Sequence, residues 1–269
     1  MAIITISRGS HSKGKEIAEK TAEKLGYQCI AREVLLEASK EFNIPEIMLQ
    51  GAIHDAPSIF ERFTYGREKY IAFVQAAFLR CVRRDNVVYH GLAGQFFLRG
   101  ISHAVKVRII ADMEERVKAK MLGEQLSREQ ALLTIKNDDN ERRKWSKDLY
   151  GIDTADSTLY DLVIRLRRIS VDDAADIICH TAQLPTFQTT FESQKAMDDL
   201  ALAAEIKAAL VEIKPDIQVF VKDGHVIIGA KLSPPTEQPT LDELERIARN
   251  FSGVKSLEIK ARHVVDWSE

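Results

Sequence analysis

The chain has 269 residues, of which 45% are hydrophobic and 29% charged, and its formal net charge is −2. This length is enough for one large hydrophobic core or for two smaller domains. The slightly negative charge gives no general electrostatic reason to expect nucleic acid or an anionic membrane as a partner.

The chain start lacks the basic and long apolar segments of a signal peptide, and nowhere do about 18 apolar residues run uninterrupted. Cys29, Cys81 and Cys179 lie far apart, and no metal-ligand spacing can be identified. The cysteines therefore indicate reduced thiols rather than a disulfide framework or a zinc site. We expect a cytoplasmic protein without an integral membrane segment and without a dedicated protein metal site.

Short apolar strands alternate with helical segments as far as residue 183. The predicted strands are 3–6, 27–30, 86–90, 105–111 and 161–165. Residues 17–25 have helical spacing and end at Gly26, and Ser127 with Gln130 has the spacing of a capping box. This alternation predicts an α/β fold with a parallel sheet and helices on both faces.

The pattern changes after residue 183. Residues 184–198 are polar and Thr-rich, and we interpret them as a linker. A small C-terminal α+β domain follows over 199–263, with helices at 201–212 and 241–251 and strands at 218–221, 226–230 and 254–260. Asp223-Gly224 lies between the first two of these strands and supplies the positive φ that a tight hairpin needs.

A phosphate-binding motif follows the first predicted strand, where residues 9–16 read Gly-Ser-His-Ser-Lys-Gly-Lys-Glu. This is the G-x-x-x-x-G-K frame of a P-loop in the strand–loop–helix context that the motif requires. Backbone N–H groups and the helix start favour phosphate, and Lys15 adds a full charge. Glu16 replaces the usual Mg²⁺-binding hydroxyl. The nucleotide-binding candidates are Gly9, Ser10, His11, Ser12, Lys13, Gly14, Lys15 and Glu16, although an ordinary strand-to-helix turn is the alternative.

A charged cluster at 138–144 contains Asp139, Arg142 and Arg143. Arginines that close over phosphates favour phosphoryl transfer, and Asp139 lies three residues before Arg142, where it could orient that side chain. The cluster follows a predicted helix, and its alternative interpretation is a solvated surface.

Two further sets of residues are weaker candidates for ligand contact. Arg116 follows the strand that ends at Ala111 and could face adenine or phosphate, although such an arginine often lies on the surface. Gly91 and Gly94 allow close approach at the carboxyl edge of the sheet, and they could equally be ordinary turn residues.

Taken together, these motifs resemble the cytidylate-kinase-like family of P-loop nucleoside monophosphate kinases. The matching stretches appear in the expected order at 4–8, 15–18, 31–35, 127–131, 139–142, 149–151 and 159–163. The resemblance implies a P-loop NTPase sheet over 1–183 and ATP-dependent phosphorylation with Mg²⁺. It further implies catalytic roles for Lys15, Asp139, Arg142 and Arg143, with the loop around 139–143 acting as a mobile lid.

The resemblance is weaker on the acceptor side. The family commonly has Asp-Arg where this chain has Ala31-Arg32, and a Gly-Arg-Gly-type turn where it has Gly91-Leu92-Ala93. Arg32, Gly91 and Gly94 remain the acceptor candidates. Because recognition of a polar base depends on hydrogen-bond partners, these departures argue against cytidylate and leave the acceptor open.

The C-terminal domain resembles a BON domain, on the Val219–Val221 strand, the Asp223-Gly224 hairpin and the stretch 251–256. The resemblance implies a regulatory role, self-association or a small ligand, and a stabilising appendage is the alternative. We therefore expect an ATP-binding phosphotransferase. Its rivals are a nucleotide-sensing pseudo-kinase that signals through this domain and a membrane-surface adaptor.

Overall fold

A computed structural model of the protein describes residues 1–31, 34, 38, 40, 66–232 and 237–263. Contacts divide the chain into two compact units. The first comprises Met1–Ile59 and Arg84–Thr190, and the second comprises Phe60–Arg83 and Phe191–Glu269. In chain order the elements are β1 Ile3–Arg8, α1 Gly14–Leu25, β2 Gln28–Ile30, α2 Gly66–Val82, β3 Val87–His90, α3 Gly94–Phe97, β4 Ala104–Ala111, α4 Met113–Glu124, α5 Arg128–Tyr150, β5 Leu162–Leu166, α6 Val171–Gln183, α7 Phe191–Leu210, β6 Gln218–Lys222, β7 His225–Leu232, α8 Glu237–Ala248 and β8 Ser256–His263.

The first unit is built on a five-stranded sheet in the order β2-β3-β1-β4-β5, and each described pairing is parallel. Strand β1 is central, and its first five residues are buried, as expected for a strand covered on both faces. Helices α1 and α6 pack together over one face, where Ile17 and Ile178 join a core with Ile4, Ile6 and Ile109. The α/β class is therefore confirmed.

The second unit contains a mixed sheet in the order β6-β7-β8, in which β6 and β7 are antiparallel and β7 and β8 are parallel. Asp223 and Gly224 have φ values of 58° and 78°, so the hairpin forms at the predicted dipeptide. The small C-terminal sheet with its helices is therefore confirmed, whereas the resemblance to a BON domain stays a prediction.

Two features of the second unit differ from the sequence interpretation. Helix α7 begins at Phe191, so 191–198 are its first turns rather than linker, because the Thr-rich stretch ends at Thr190. Helix α2, which precedes β3 in the chain, is grouped with this unit and packs against α7. Ion pairs join Lys69 to Glu212 at 2.5 Å and Arg83 to Asp198 at 2.7 Å.

Candidate phosphate-binding site

The loop between β1 and α1 has the backbone geometry of an anion site. His11 and Lys13 have φ values of 54° and 56°, so left-handed residues alternate along the loop. Such alternation turns successive N–H groups toward one concave surface. The first N–H groups of α1 lack intrahelical partners and point the same way, which adds the positive end of the helix dipole. The loop can therefore hold a phosphate group.

Gly14 is required by close packing against Arg8. A Cβ atom built at Gly14 would lie 2.6 Å from Cδ and 2.8 Å from Cβ of Arg8. Real Cβ atoms do not approach other atoms this closely, so a larger residue would force the Arg8 side chain to move. The second glycine of the motif thus fixes both the loop and the arginine before it.

Lys15 and Glu16 both project into solvent. The Nζ atom of Lys15 lies 3.6 Å from Oε1 of Glu19, and the lysine side chain is 64% exposed. A pair this exposed contributes little free energy, so a phosphate can displace Glu19. Glu16 is also exposed in the first turn of α1, where the helix dipole favours a carboxylate.

A hydrogen-bonded cluster joins the loop to α5. Asp139 accepts hydrogen bonds from the backbone N–H of Ser10 at 3.2 Å, from Oγ of Ser10 at 2.8 Å and from Nη2 of Arg116 at 2.6 Å. Arg116 also donates to the Ser10 carbonyl through Nε at 2.7 Å. The side chain of Arg116 is only 9% exposed, so this cluster braces the loop from inside the protein.

This cluster changes the interpretation of two predicted residues. Arg116 is neither a surface residue nor free, because it links the carbonyl of Ser10 to the carboxylate of Asp139. Asp139 accepts its hydrogen bonds from Ser10 and Arg116. Its position three residues before Arg142 in the sequence therefore did not indicate which side chains it contacts. Ser12, buried in the same loop, donates from Oγ to the Gly9 carbonyl at 2.8 Å.

The charged cluster at 138–144 is helical, which corrects the predicted mobile loop. Helix α5 starts at a capping box in which Oγ of Ser127 accepts from the N–H of Gln130. No glycine or proline interrupts the sequence before Gly151, which ends the helix with a φ of 67°. Asp139, Arg142 and Arg143 therefore lie in the middle of a continuous helix.

A cavity of about 330 Å³ opens beside the loop, at the carboxyl ends of β1 and β4. Within the described part of the chain, five arginines and a single carboxylate line it. The lining residues are Ser7, Arg8, Gly9, Ser12, Leu92, Arg108, Ile110, Ala111, Arg116, Asp139, Asn140, Arg142, Arg143, Thr154 and Ala155. We call this space the arginine cavity, and its charge suits a phosphorylated ligand.

Arg143 is engaged by the loop that follows α5. Its Nε donates to both carboxylate oxygens of Asp153, at 3.1 and 2.9 Å, and Nη2 adds a further contact. The hydrogen bonds from Arg143 hold the pKa of Asp153 well below its usual range, and Asp153 raises the pKa of Arg143. Arg143 thus holds one wall of the cavity in place.

Arg8 and Arg142 lie together on the cavity wall. Nη1 of Arg142 donates to the main-chain carbonyl of Arg8 at 3.4 Å. Burial lowers the pKa of both guanidinium groups, the charge of Arg142 lowers that of Arg8 further, and the charges of Asp138 and Asp139 partly offset the effect of burial on Arg142. Two cations held side by side in this way indicate that the site is arranged for an anion.

Arg108 completes the wall from the neighbouring strand. It donates through Nη1 to Oη of Tyr160 at 3.2 Å and to Oγ of Ser7 at 3.5 Å, and its Cζ lies 5.6 Å from the centroid of the Tyr160 ring. The sequence interpretation missed Arg8 and Arg108. For Arg8 the sequence did contain a signal of its place at the site, because Arg8 is the last residue of β1 and directly precedes the phosphate-binding motif.

A second cavity of about 250 Å³ shares Ala111 and Arg116 with the arginine cavity. It is lined by His11, Lys13, Ala111, Glu115, Arg116, Ala119, Leu166, Arg167, Ile169, Ser170 and Val171. Burial and the neighbouring Lys120, whose Nζ lies 3.2 Å from Nε2 of His11, lower the pKa of His11. We call this space the apolar-walled cavity after Ala111, Ala119, Leu166, Ile169 and Val171, although the other six lining residues are polar or charged.

The remaining acceptor candidates are only partly placed at the site. A Cβ atom at Gly91 would lie 2.2 Å from Oη of Tyr89, and one at Gly94 would lie 2.7 Å from the same ring. Close packing against Tyr89 therefore explains both glycines. Leu92, which lies between them in the sequence, lines the arginine cavity. Arg32 lies outside the described residues.

Two features are absent from the described residues, a metal-ligand cluster and a membrane-spanning helix. No group of three or more His, Cys, Asp or Glu side chains in these ranges could hold a metal ion. No helix in the same ranges is long and apolar enough to cross a membrane.

Comparison with known proteins places this geometry in context. A model of the cytidylate kinase-like family matches residues 3–168. A cytidylate kinase from Sulfolobus acidocaldarius is 23% identical over 176 residues, which are 65% of this chain and 91% of that protein. A cytidylate kinase from Pyrobaculum neutrophilum is 26% identical over 129 residues, 46% of this chain and 70% of that protein.

A solved structure has a similar fold. The crystal structure of an uncharacterized protein from Eubacterium ventriosum aligns with a TM-score of 0.52 and 23% identity, over 67% of this chain and 97% of that one. The family match ends before α6, so α6, α7 and the small sheet lie outside it.

Proposed function

Since the chain belongs to the cytidylate kinase-like family, we propose that its first unit binds ATP and transfers the γ-phosphoryl group to a small acceptor that is already ionised. The observation that carries this proposal is the arginine cavity, which opens directly beside Gly9 and Ser12 of the phosphate-binding loop. A loop for the donor and a cationic cavity next to it are what phosphoryl transfer requires.

The loop suits the phosphates of the donor. The amides of 12–15 would surround them, and Lys15 would swing from Glu19 to neutralise the β- and γ-phosphates. Arg116 and Asp139 hold Ser10 in place, so the loop is shaped before the nucleotide arrives. Such preorganisation lowers the entropy lost on binding.

The apolar-walled cavity suits the base of the nucleotide. Ala111, Ala119, Leu166, Ile169 and Val171 provide apolar surface for a planar ring. Arg116 borders this cavity and the arginine cavity alike, so both open next to the same loop. We therefore propose that the base lies in the apolar-walled cavity and that the phosphates extend toward the arginine cavity.

Magnesium would be held mainly through the nucleotide. Bound Mg²⁺ supplies charge neutralisation on the donor phosphates, and it commonly keeps several waters when a protein contributes few ligands. Glu16 is the carboxylate that directly follows Lys15, and it would hold the ion through such a water.

The acceptor class follows from the carboxylate that lines the arginine cavity. Transfer to a hydroxyl group uses a base that accepts its proton. Asp139, the one carboxylate among the described lining residues, already accepts hydrogen bonds from Ser10 and Arg116. An ionised phosphate needs no base and is attracted by the arginines. We therefore propose a phosphate monoester as acceptor.

Each residue then has a simple task. Arg142 would stabilise charge on the transferring group, and Arg143 with Asp153 would hold the cavity wall in place. The residues bring an acceptor oxygen in line with the γ-phosphorus, so that the new P–O bond forms as the β–γ bridge breaks and ADP leaves with the electron pair. The acceptor releases no proton in this step.

The test is a transfer assay with purified protein, MgATP and a panel of acceptors. Nucleoside monophosphates, including CMP, and sugar phosphates form one group, and the corresponding unphosphorylated nucleosides and sugars form the other. We expect ADP and a phosphorylated product with at least one member of the first group. Transfer only to hydroxyl acceptors would refute the acceptor class. MgATP binding without any transfer would instead identify the nucleotide-sensing alternative.

For the second unit we propose regulation of this activity or self-association. Much of it lies outside the family match, and its small sheet has its own core around Ile206, Leu210 and Ile228. Sedimentation of the full chain with and without MgATP tests self-association, and a monomer under both conditions would exclude it.

A further inference from the structure

Helix α4 contacts two consecutive residues of the phosphate-binding loop through two buried cations. Arg116 and Lys120 lie four residues apart on one face of the helix, and their side chains are 9% and 5% exposed. Arg116 donates to the carbonyl of Ser10. The Nζ atom of Lys120 lies 3.2 Å from Nε2 of His11 and donates to Oε1 of Glu124 at 2.8 Å. The proposed transfer step uses neither Lys120 nor His11.

The contact between Lys120 and His11 determines which ring nitrogen of the histidine carries the proton. An ammonium group has three donors and no acceptor, so Nε2 of His11 must accept from Lys120. The same ammonium group forms an ion pair with Glu124. A neutral imidazole that accepts through Nε2 has its proton on Nδ1. His11 is therefore a hydrogen-bond donor through Nδ1.

The surroundings of His11 favour this neutral form over the imidazolium. Burial is the largest cause that lowers the pKa of His11, and the charges of Lys120 and Arg116 lower it as well. The charges of Glu124 on α4 and Asp138 on α5 partly offset these effects. Protonation would place a second cation 3.2 Å from the ammonium group, so the Nδ1–H tautomer is the form present at neutral pH.

The nitrogen that carries the proton is available to a ligand. Among the residues that the structure describes, Nδ1 of His11 forms no hydrogen bond. His11 lines the apolar-walled cavity, whereas Lys120, which also belongs to the described part of the chain, borders neither of the two cavities. The histidine is therefore the member of this pair that a ligand in the apolar-walled cavity can contact.

We propose that His11 donates a hydrogen bond from Nδ1 to the nucleoside part of ATP, and that Lys120 is the positioning residue that fixes this tautomer by occupying Nε2. This inference rests on the proposed function, which places the base in the apolar-walled cavity, and it adds a polar contact that orients the nucleoside. A neutral donor suits the neutral acceptor atoms of base and ribose, whereas the loop amides and Lys15 serve the phosphates.

Two variants of the full chain separate the two ring nitrogens. In His11→Asn the side-chain N–H can take the place of Nδ1–H, but the side chain is too short to replace Nε2. In His11→Gln the carbonyl oxygen can take the place of Nε2 beside Lys120, but the donor at Nδ1 is lost. Calorimetric titration of MgATP should give an affinity near the wild-type value for His11→Asn. The affinity of His11→Gln should be about three- to tenfold weaker, as expected for one neutral hydrogen bond.

The positioning role of Lys120 has a readout that does not depend on ATP. In protein labelled with ¹⁵N at histidine, the ring nitrogens give different signals for the two neutral tautomers, and the signals of His11 are identified by their absence from His11→Asn. The wild type should carry the proton on Nδ1 at neutral pH, and so should Lys120→Arg, which keeps a donor. Lys120→Met should move the proton to Nε2, the position ordinarily preferred in water. If Lys120→Met does not fold, the proton position in the wild type decides.

Two controls separate a nucleoside contact from a change in the loop. Inorganic tripolyphosphate with Mg²⁺ carries the phosphates of ATP without base or ribose, so it should bind equally to the wild type and to His11→Gln. This control is needed because His11 has a φ of 54°, which asparagine adopts more readily than glutamine. His180→Gln changes an exposed histidine of α6 and should leave ATP affinity unchanged.

The outcomes distinguish this contact from the proposed function. Unchanged ATP affinity in His11→Gln, or a proton on Nε2 of His11 in the wild type, overturns the contact while ATP binding still supports the donor site. An equal loss of ATP and tripolyphosphate affinity in His11→Gln also overturns it, because the side chain would then act on the phosphates or on the shape of the loop. Failure of the wild type to bind MgATP refutes the proposed function, and the nucleoside contact with it.

Discussion

The strand wall and the helical wall of the arginine cavity use the same residue type in different ways. On the helical side, Arg116 and Arg143 are neutralised by carboxylates and brace the P-loop and the loop after α5, whereas Arg142 on the same side contacts the Arg8 carbonyl. On the strand side, Arg108 has two hydroxyl partners and the Tyr160 ring, which orient its guanidinium group without neutralising it. The counter-charge, rather than the arginine itself, separates a structural brace from a ligand-binding residue.

The largest expected effect compares the two neighbouring arginines of α5. Arg142→Gln should lower kcat by about 10²–10³, the usual cost of removing a donor that stabilises transition-state charge. Arg143→Gln should have a much smaller effect, because Asp153 already engages its guanidinium. Steady-state kinetics with the best acceptor measures both variants, and equal losses would contradict the distinction between paired and unpaired arginines.

The next effect concerns the stability that the hydrogen-bonded cluster of Ser10, Arg116 and Asp139 gives to the protein. Asp139→Asn leaves the guanidinium of Arg116, which is 9% exposed, without its counter-charge and weakens the contacts to Ser10. We expect a loss of about 1–3 kcal/mol in the free energy of unfolding, because Asp139 itself is partly exposed. Urea denaturation measures it. A variant as stable as the wild type would show that the cluster does not support the loop.

A third effect connects the P-loop to the strand wall. Gly14→Ala places a Cβ atom 2.6 Å from Cδ of Arg8 and should push that side chain away from the arginine cavity. The affinity for inorganic phosphate, measured by calorimetry with Mg²⁺ and a non-transferable ATP analogue bound, should then fall by about tenfold, as expected for a lost charge-assisted contact. The matched control is Gly123→Ala, since a Cβ atom there meets nothing within 4 Å. Equal affinities in both variants would mean that Arg8 does not contact phosphate in the arginine cavity.

The smallest expected effect is a pH dependence from Asp153. Its pKa is lower in the folded protein than in the unfolded chain, chiefly because Arg143 donates hydrogen bonds to it. The resulting stabilisation is present above the unfolded pKa, about 3.9, and is lost as the pH falls through the folded value. Melting temperatures measured from pH 6 to pH 2 should therefore fall less steeply in Asp153→Asn. Identical slopes would show that the pair contributes nothing.

The fold could be predicted from the sequence, because its main signals are local. Buried apolar runs such as Ile3–Arg8 and helix ends such as Gly26 depend on residues close in the chain. The mobile loop at 139–143 was an implication of the family resemblance and did not come from the local sequence. A capping box at Ser127 and the absence of glycine and proline before Gly151 predict the helix better.

The pairing of charges could not be predicted, because it depends on distant residues. Asp139 contacts Ser10 across 129 positions, and Arg108 contacts Tyr160 across 52. Sequence spacing suggested that Asp139 orients Arg142, but the fold brings it to Arg116 instead. Arg108 was missed for the same reason, since only the folded sheet places it beside the P-loop, whereas Arg8 directly precedes the motif in the sequence.

The central claim is that the loop after β1 binds the phosphates of ATP, and calorimetric titration of MgATP into the wild type and Lys15→Ala tests it most directly. We predict that the variant, having lost one full charge at the β- and γ-phosphates, binds MgATP at least about tenfold more weakly. Equal affinity in the two proteins, or no binding in either, would contradict the assignment of this loop as a nucleotide site.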